Sequence, residues 1–189
     1  MPCRFESEIA MTATALTEPA RNASAPPPPP LLACGDALLA LDLGSSTGWA
    51  VRIGDEHIRS GTVSFRPSRY DGGGIRYLRF RGWLERFARD MRDLRAIYFE
   101  EVRRHLSTDS AHVYGGLLAT LTAWCEQQSI AYQGVPVGTI KRFIAGKGNA
   151  DKDAVIAAVK ARGYHPTDDN EADAIAILLW AIETGGGVQ

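Results

Sequence analysis

Cysteine is scarce in this chain. Cys3, Cys34 and Cys125 are odd in number and stand at no ligand spacing. That pattern argues against a disulfide framework and against a cysteine zinc site, and it fits a reducing cytoplasm. Long apolar runs are missing too, and none approaches the roughly 18 residues of a transmembrane helix candidate. No membrane partner is therefore expected. Net charge is only −1 over 189 residues, so the chain as a whole lacks a strongly basic nucleic-acid signature. The basic residues are nevertheless uneven. Between residues 74 and 95, Arg76, Arg79, Arg81, Arg86, Arg89, Arg92 and Arg95 stand against only Glu85, Asp90 and Asp93. A stripe of this kind serves either a phosphate backbone or a solvated helix face with its ion pairs.

What is present falls into three parts. Residues 1–36 are rich in Ala, Thr, Ser and Pro and include the run Pro26 to Pro30. They have too little to bury for a core and read as a disordered leader. The positive start and apolar centre of a secretory signal are absent, and Met11 is an alternative start. Residues 37–184 read as one folded domain, and 185–189 as a flexible Gly-rich tail. The apolar patterning predicts strands over Leu38–Leu43, Gly48–Ile53, His57–Phe65, Arg95–Glu100 and Ile130–Val135. Helices are expected after the flexible 67–74 stretch, where Phe80, Leu84, Phe87 and Met91 share a face, and over Ser110–Gln128, Lys152–Ala161 and Asn170–Glu183. This order predicts an α/β fold, a mixed five-stranded sheet with helices on both faces.

The chemistry lies where carboxylates interrupt apolar runs. Asp42 ends Leu38-Leu39-Ala40-Leu41, and Glu100 ends Ala96-Ile97-Tyr98-Phe99. Asp173 sits among Ala172, Ala174, Ile175 and Ala176. Burying such groups is costly unless a cation pairs with them, and neither strand run contains a Lys or Arg beside its acid. A shared divalent ion resolves the cost, and oxygen donors point to Mg²⁺ or Mn²⁺. Glu101 adjoins Glu100 on the opposite strand face, and the pattern alone barely separates the two. Asp169 and Asn170 lie about one helical turn before Asp173, so each is either a further ligand or a helix cap. The turn Gly44-Ser45-Ser46-Thr47-Gly48 suits a backbone that approaches phosphate, or a tight hairpin. In the string Ile140 to Lys152, Gly146 and Gly148 bracket Lys147 ahead of a helix start near Asp151, a place that offers amides and ammonium groups to phosphate oxygens.

Taken together, these blocks resemble the RuvC family of Holliday junction resolvases, in particular its phage and prophage branch. The blocks are Leu41-Asp42-Leu43-Gly44-Ser45, Phe99-Glu100-Glu101-Val102, Lys141 through Gly146-Lys147-Gly148-Asn149-Ala150-Asp151-Lys152, and Ala172 to Ile177. The resemblance implies a ribonuclease H-like fold in which the first and fourth strands are neighbours, bringing Asp42 to Glu100. It implies a homodimeric endonuclease acting on four-way junctions or related branched DNA, with two Mg²⁺ (or Mn²⁺) ions per site. Asp42, Glu100 and Asp173 match three of the family's metal-binding acids, with Asp169 or Asn170 completing the set. Lys141 and Lys152 match lysines used near the scissile phosphate, Lys152 as a catalytic group, with Lys147, Arg103 and Arg104 as further DNA contacts. The expected location is the cytoplasm of a bacterial cell, or of a host cell if phage-encoded. Two departures stand out: Asn170 replaces the fourth acid, and Arg103 stands where the bacterial enzyme has a wedging aromatic. The rival readings are a branched-DNA-binding module without catalysis and an ATP-binding protein of the sugar kinase and actin-like superfamily. The latter rests on the Asp42-to-Gly48 turn.

Overall fold

A computed structural model of the chain describes residues 37–54, 57–91, 93–103 and 107–185. The leader 1–36, residues 186–189 of the tail, Arg92 and Arg104 lie outside the described residues. The elements are β1 (Ala37–Asp42), β2 (Ser46–Ile53), β3 (His57–Ser64), α1 (Ile75–Asp90), β4 (Leu94–Glu101), α2 (Thr108–Gln128), β5 (Ala131–Pro136), α3 (Val137–Ala145), α4 (Lys152–Ala161) and α5 (Asp169–Glu183). They form one mixed sheet of order β3-β2-β1-β4-β5. Short connections join β1, β2 and β3 as antiparallel neighbours, whereas β4 and β5 follow helical crossovers and pair in parallel. The expected α/β fold with helices on both sheet faces is what the structure shows.

Strand alternation divides the core in two. Leu39, Leu41, Val51, Ile97 and Phe99 pack with residues of α1 and α2. Leu38, Ala40, Ala50, Ala96, Tyr98 and Val135 pack with residues of α3, α4 and α5. On the α1 side, Trp49, Phe65, Phe80, Trp83 and Phe87 form a cluster of ring contacts that seats α1 on β2. α5 is buried almost all round, from Ala172 through Ala181 except for Asp173, which accounts for its near-continuous apolar composition. The element order expected from sequence lacks α3. Its nine residues bury only Ile140 and Ile144, too short a repeat to stand out as a period.

The start of α5 is held with unusual closeness to the sheet. Asp168 caps the helix, its carboxylate accepting from the Glu171 amide at 2.8 Å and from the Thr62 hydroxyl at 2.7 Å. Buried Glu171 accepts from the Ser60 hydroxyl at 2.7 Å, and from the Thr167 amide and hydroxyl at 2.8 and 2.6 Å. These donors offset the burial, and its carboxyl is held below the usual range. Ser60 and Thr62 pair with Ala50 and Gly48, on the sheet face that carries α5. At Gly48 there is no room for a side chain, because a Cβ there would lie 1.8 Å from the Asn170 carbonyl oxygen.

The Gly48 contact predicts a measurable cost. Gly48→Ala should destabilise the fold by roughly 3 kcal/mol, since β2 and α5 must part along backbone atoms that have no rotamer to yield. Equilibrium unfolding in denaturant tests this, and a variant as stable as the parent would show that α5 is not held by this approach.

Candidate metal centre

Asp42 is the last residue of β1, and alternation puts its side chain with Leu38 and Ala40, on the α5 side of the sheet. Glu100 lies near the end of β4, and by the same alternation follows Ala96 and Tyr98 onto that side. The parallel pairing of Leu41 with Phe99 sets the next residues, Asp42 and Glu100, abreast. Glu101 turns the other way. Its Cβ is beside Phe99 around Gly134, and its carboxylate pairs with the Arg103 guanidinium at 3.1 Å. Asp173 enters from the second turn of α5.

The three acids sense one another. Burial first, then the charges of Glu100, Asp173 and Asp169, hold Asp42 well above the usual carboxylate range, with Lys152 opposing. Burial first and Asp173 second push Glu100 up to about 7, against Lys141 and Lys152. Asp173 is pushed up to about 6, chiefly by burial, against the same two lysines. All three retain some exposure, so a ligand can reach them. Like charges gathered in a poorly solvated place are what an added cation relieves, and an all-oxygen set suits a hard one. The donor chemistry therefore fits Mg²⁺ or Mn²⁺. Among the described residues, no three His, Cys, Asp or Glu side chains are already arranged as a metal-binding group. The acids are gathered at one edge without being closed on a common point.

Neither lysine neutralises the group outright. The Lys141 ammonium donates to the Ala150 carbonyl at 2.7 Å, tying α3 to the start of α4. The Lys152 ammonium, in the first turn of α4, pairs with Asp169. That hydrogen bond, ahead of an opposing burial effect, brings the Asp169 carboxyl below its usual range and raises Lys152. Of the two sequence alternatives for Asp169 and Asn170, helix capping is overturned, because the cap is Asp168. Its distance of three residues from Glu171, the spacing of a capping box, is the sequence signal for it. Asn170 stands in the first turn of α5 with its backbone carbonyl against Gly48.

Other expected residues are spread more widely. Lys147 is exposed in the turn between α3 and α4, where its carbonyl accepts from the Ala150 amide at 3.1 Å. Asp151 caps α4 through the Ala154 amide at 2.8 Å, as the string predicted. Arg103 is exposed beside Glu101, and Arg104 is not among the described residues. In the α1 stripe, Arg79 pairs with Asp71 and Arg81 with Glu85, on the sheet face away from the acids. For those two, the solvated-face reading holds. The Gly44–Gly48 turn is a closed hairpin: buried Thr47 donates to the Gly44 carbonyl at 2.8 Å, and helix α5 takes the space at Gly48. The glycine that suggested a phosphate-facing backbone admits a helix instead. Tyr114 of α2, also unforeseen, donates to the Glu100 carbonyl at 2.8 Å and accepts from the Val102 amide at 3.2 Å, pinning the end of β4.

No family model matches the chain, and no curated protein matches it in sequence. Solved structures do match. A Thermus thermophilus RuvC structure superposes with TM-score 0.63 at 20% identity, covering 79% of this chain and 97% of that one. T. thermophilus RuvC in complex with Holliday junction substrate gives TM-score 0.65 at 20% identity, covering 80% and 96%. The yeast mitochondrial Holliday junction resolvase Ydc2 gives 0.55 at 12% identity, covering 83% and 80%. The likeness at these identities is one of fold: the chain has the RuvC-type, ribonuclease H-like architecture.

The raised carboxyls predict how stability responds to pH. A carboxyl whose folded pKa exceeds its unfolded value stabilises the fold fully below the unfolded value, about 4.5 for Glu100, and that contribution fades as pH rises through about 7. Without divalent ions at pH 8, Glu100→Gln should therefore be more stable than the parent by up to about 3 kcal/mol. Thermal melts between pH 5 and 8 read this directly. Added Mg²⁺ should raise the melting temperature of the parent more than that of Glu100→Gln. Parallel pH profiles for parent and Glu100→Gln would refute the shared-charge account.

Proposed function

We propose that the protein is a divalent-metal-dependent endonuclease that cleaves branched DNA, with four-way junctions as its substrate. One observation carries this: Asp42, Glu100 and Asp173 arrive from β1, β4 and α5 as mutually repelling carboxylates on a RuvC-type fold. With its Gly44–Gly48 turn closed by α5, the chain is a poor match to the ATP-binding reading, which rests on that turn.

In this function, Asp42, Glu100 and Asp173 hold two divalent ions, with Asp169 or Asn170 as the remaining ligand. Bound there, Mg²⁺ or Mn²⁺ supplies the Lewis acidity that activates water and neutralises the leaving 3′ oxygen. Asp42, at the end of the central strand, would be a ligand shared by the two ions. Lys152 and Lys141 place positive charge beside the acids and stabilise charge that accumulates on the scissile phosphate. Lys152 pairs with Asp169; were Asp169 to hold a cation, that ammonium would be free to face the phosphate. Lys147 and Arg103 are exposed cations suited to flanking phosphates. Resolving a junction requires paired nicks, so the working form is a homodimer.

Asp42→Asn should abolish cleavage of a labelled four-way junction in Mg²⁺ or Mn²⁺ while leaving fold and junction binding largely intact. A folded mutant cutting near the parental rate would discard the proposed centre, and stoichiometric binding without cutting by the parent would identify a non-catalytic module. Asn170, which brings no charge, is the feature that favours this second reading. Glu100→Gln should be inactive and Glu101→Gln largely active, and the reverse result would reassign the strand register of the site.

Asp169→Ala should slow cleavage at least about tenfold, roughly 1.4 kcal/mol in the barrier. Since Asp168 is the cap, its melting temperature should stay close to the parent's. Asn170→Asp should keep or improve activity in Mg²⁺. Full turnover in Asp169→Ala would leave Asn170 or water to complete the ligand set.

A further inference from the structure

Among the described residues, the large apolar side chains most open to solvent are Tyr70, 81% exposed, and Leu78, 67% exposed. Both belong to the segment that leaves β3 and enters α1. A single exposed aromatic is ordinary on a protein surface. Tyr70 differs in how it is held, what lies on it and where it stands.

Its turn is built. Asp71 accepts from the Ser68 amide at 2.7 Å and from the Arg79 guanidinium at 2.9 Å, and its own amide donates to the Ser68 carbonyl at 3.1 Å. Arg79 also donates to the Arg66 carbonyl at 3.0 Å, which fastens the turn to α1. An aromatic presented from a fastened turn loses little freedom on binding. The Arg69 guanidinium carbon lies 4.6 Å from the centroid of the Tyr70 ring, and Arg69 also bonds the hydroxyl. The ring remains exposed despite this cover, so one face carries a cation and the other is open. An aromatic face beside an arginine is the combination that single-stranded nucleic acid uses, stacking a base while a phosphate is neutralised.

The location joins this turn to the carboxylate edge. The Phe65 amide, one residue past β3, donates to the Ser45 carbonyl at 2.9 Å, so the connection departs beside the turn that follows Asp42. There, Arg76 lines a cavity of about 400 Å³ together with Gly44, Ser45, Val102, Tyr114 and one carboxylate, Asp109. Its Nε is buried without a hydrogen-bond partner. A cationic side chain with an unspent donor thus adjoins the acids' own turn, and the same connection carries Tyr70.

We infer that Tyr70, backed by Arg69, is a stacking platform for an unpaired base of branched DNA, and that Arg76 holds a backbone phosphate on the path to the carboxylates. This rests on the proposed junction-cleaving function and adds to it a means of holding the branch open. Arg103, at the end of β4, then has no need to act as an aromatic wedge.

The test compares parent, Tyr70→Ala, Tyr70→Phe and Arg76→Ala on a four-way junction with 2-aminopurine beside the branch point, in Ca²⁺, and on matched duplex. Tyr70→Ala should bind the junction about tenfold more weakly, within the effect of removing one stacking aromatic, and lose the 2-aminopurine signal. Its duplex affinity and thermal melt should match the parent's, and Tyr70→Phe should keep both junction readouts. Arg76→Ala should reduce the slope of log affinity against log salt by about 1, the signature of one phosphate contact. Equal junction affinities of parent and Tyr70→Ala would overturn the platform while leaving the nuclease reading intact. Equal weakening on junction and duplex would also overturn it. A parent that neither binds nor cuts any four-way junction would end both readings together.

Discussion

The contact between the start of α5 and the sheet governs everything that follows from this fold. A helix ordinarily rests on a sheet through side chains. Here, the Asn170 carbonyl oxygen occupies the space a Cβ on Gly48 would need, and backbone meets backbone. Such closeness is tolerable only if the polar groups around it are satisfied. Asp168 and Glu171 do this, through Thr62, Ser60, Thr167 and the amides at the helix start. Asp173 lies a turn beyond this clamp. A looser fit would move it away from Asp42 and Glu100, whose positions are set separately by the pairing of β1 with β4.

The clamp also explains how mutually repelling acids persist near one another. Packing and hydrogen bonds distant from the acids hold the elements, so the repulsion is expressed in raised pKa values more than in displaced strands. Glu171 and Asp173 form an instructive contrast, two carboxylates two residues apart on one helix. Three donor contacts keep Glu171 below its usual range. Burial without comparable satisfaction pushes Asp173 up to about 6. One is spent on structure, and the other remains available to a cation.

Much of the site was legible before the fold was known, for a physical reason. Asp42, Glu100 and Asp173 each break an apolar run, and a carboxylate in a core-like segment demands an explanation. What stayed hidden depends on contacts distant in sequence. Glu100 and Glu101 look equivalent because only the alternation from Tyr98 and Phe99, read against β1, shows which of them joins Asp42. The Lys152–Asp169 pair spans two helices. The clamp was obscured differently: Asp168 to Glu171 is an acidic and amide run in which the cap, the ligand candidates and the buried anchor are chemically alike. Only the three-residue spacing of Asp168 and Glu171 marks the cap. At Gly48 the missing side chain is visible in the sequence, but the neighbour that needs the space, the Asn170 carbonyl, is 122 residues away.

The arrangement also separates what the two sheet faces contribute. The α5 face supplies the acids, and through α3 and α4 the lysines Lys141 and Lys152. The α1 and α2 face supplies Tyr114, Arg76 and the turn bearing Tyr70. Both sets meet at one end of the sheet because β1 and β4 run in parallel and finish there, while β3 and β2 meet at the same end through Ser64 and Ser46. Parallel neighbours place their C-terminal connections together, and that geometry makes such an edge a natural place for a binding site in α/β proteins. In this chain, the carboxylates stand on one side of that edge, and an open aromatic and the unpartnered Nε of Arg76 on the other. A DNA strand crossing the edge would meet cation-binding chemistry and base-stacking chemistry within a single passage.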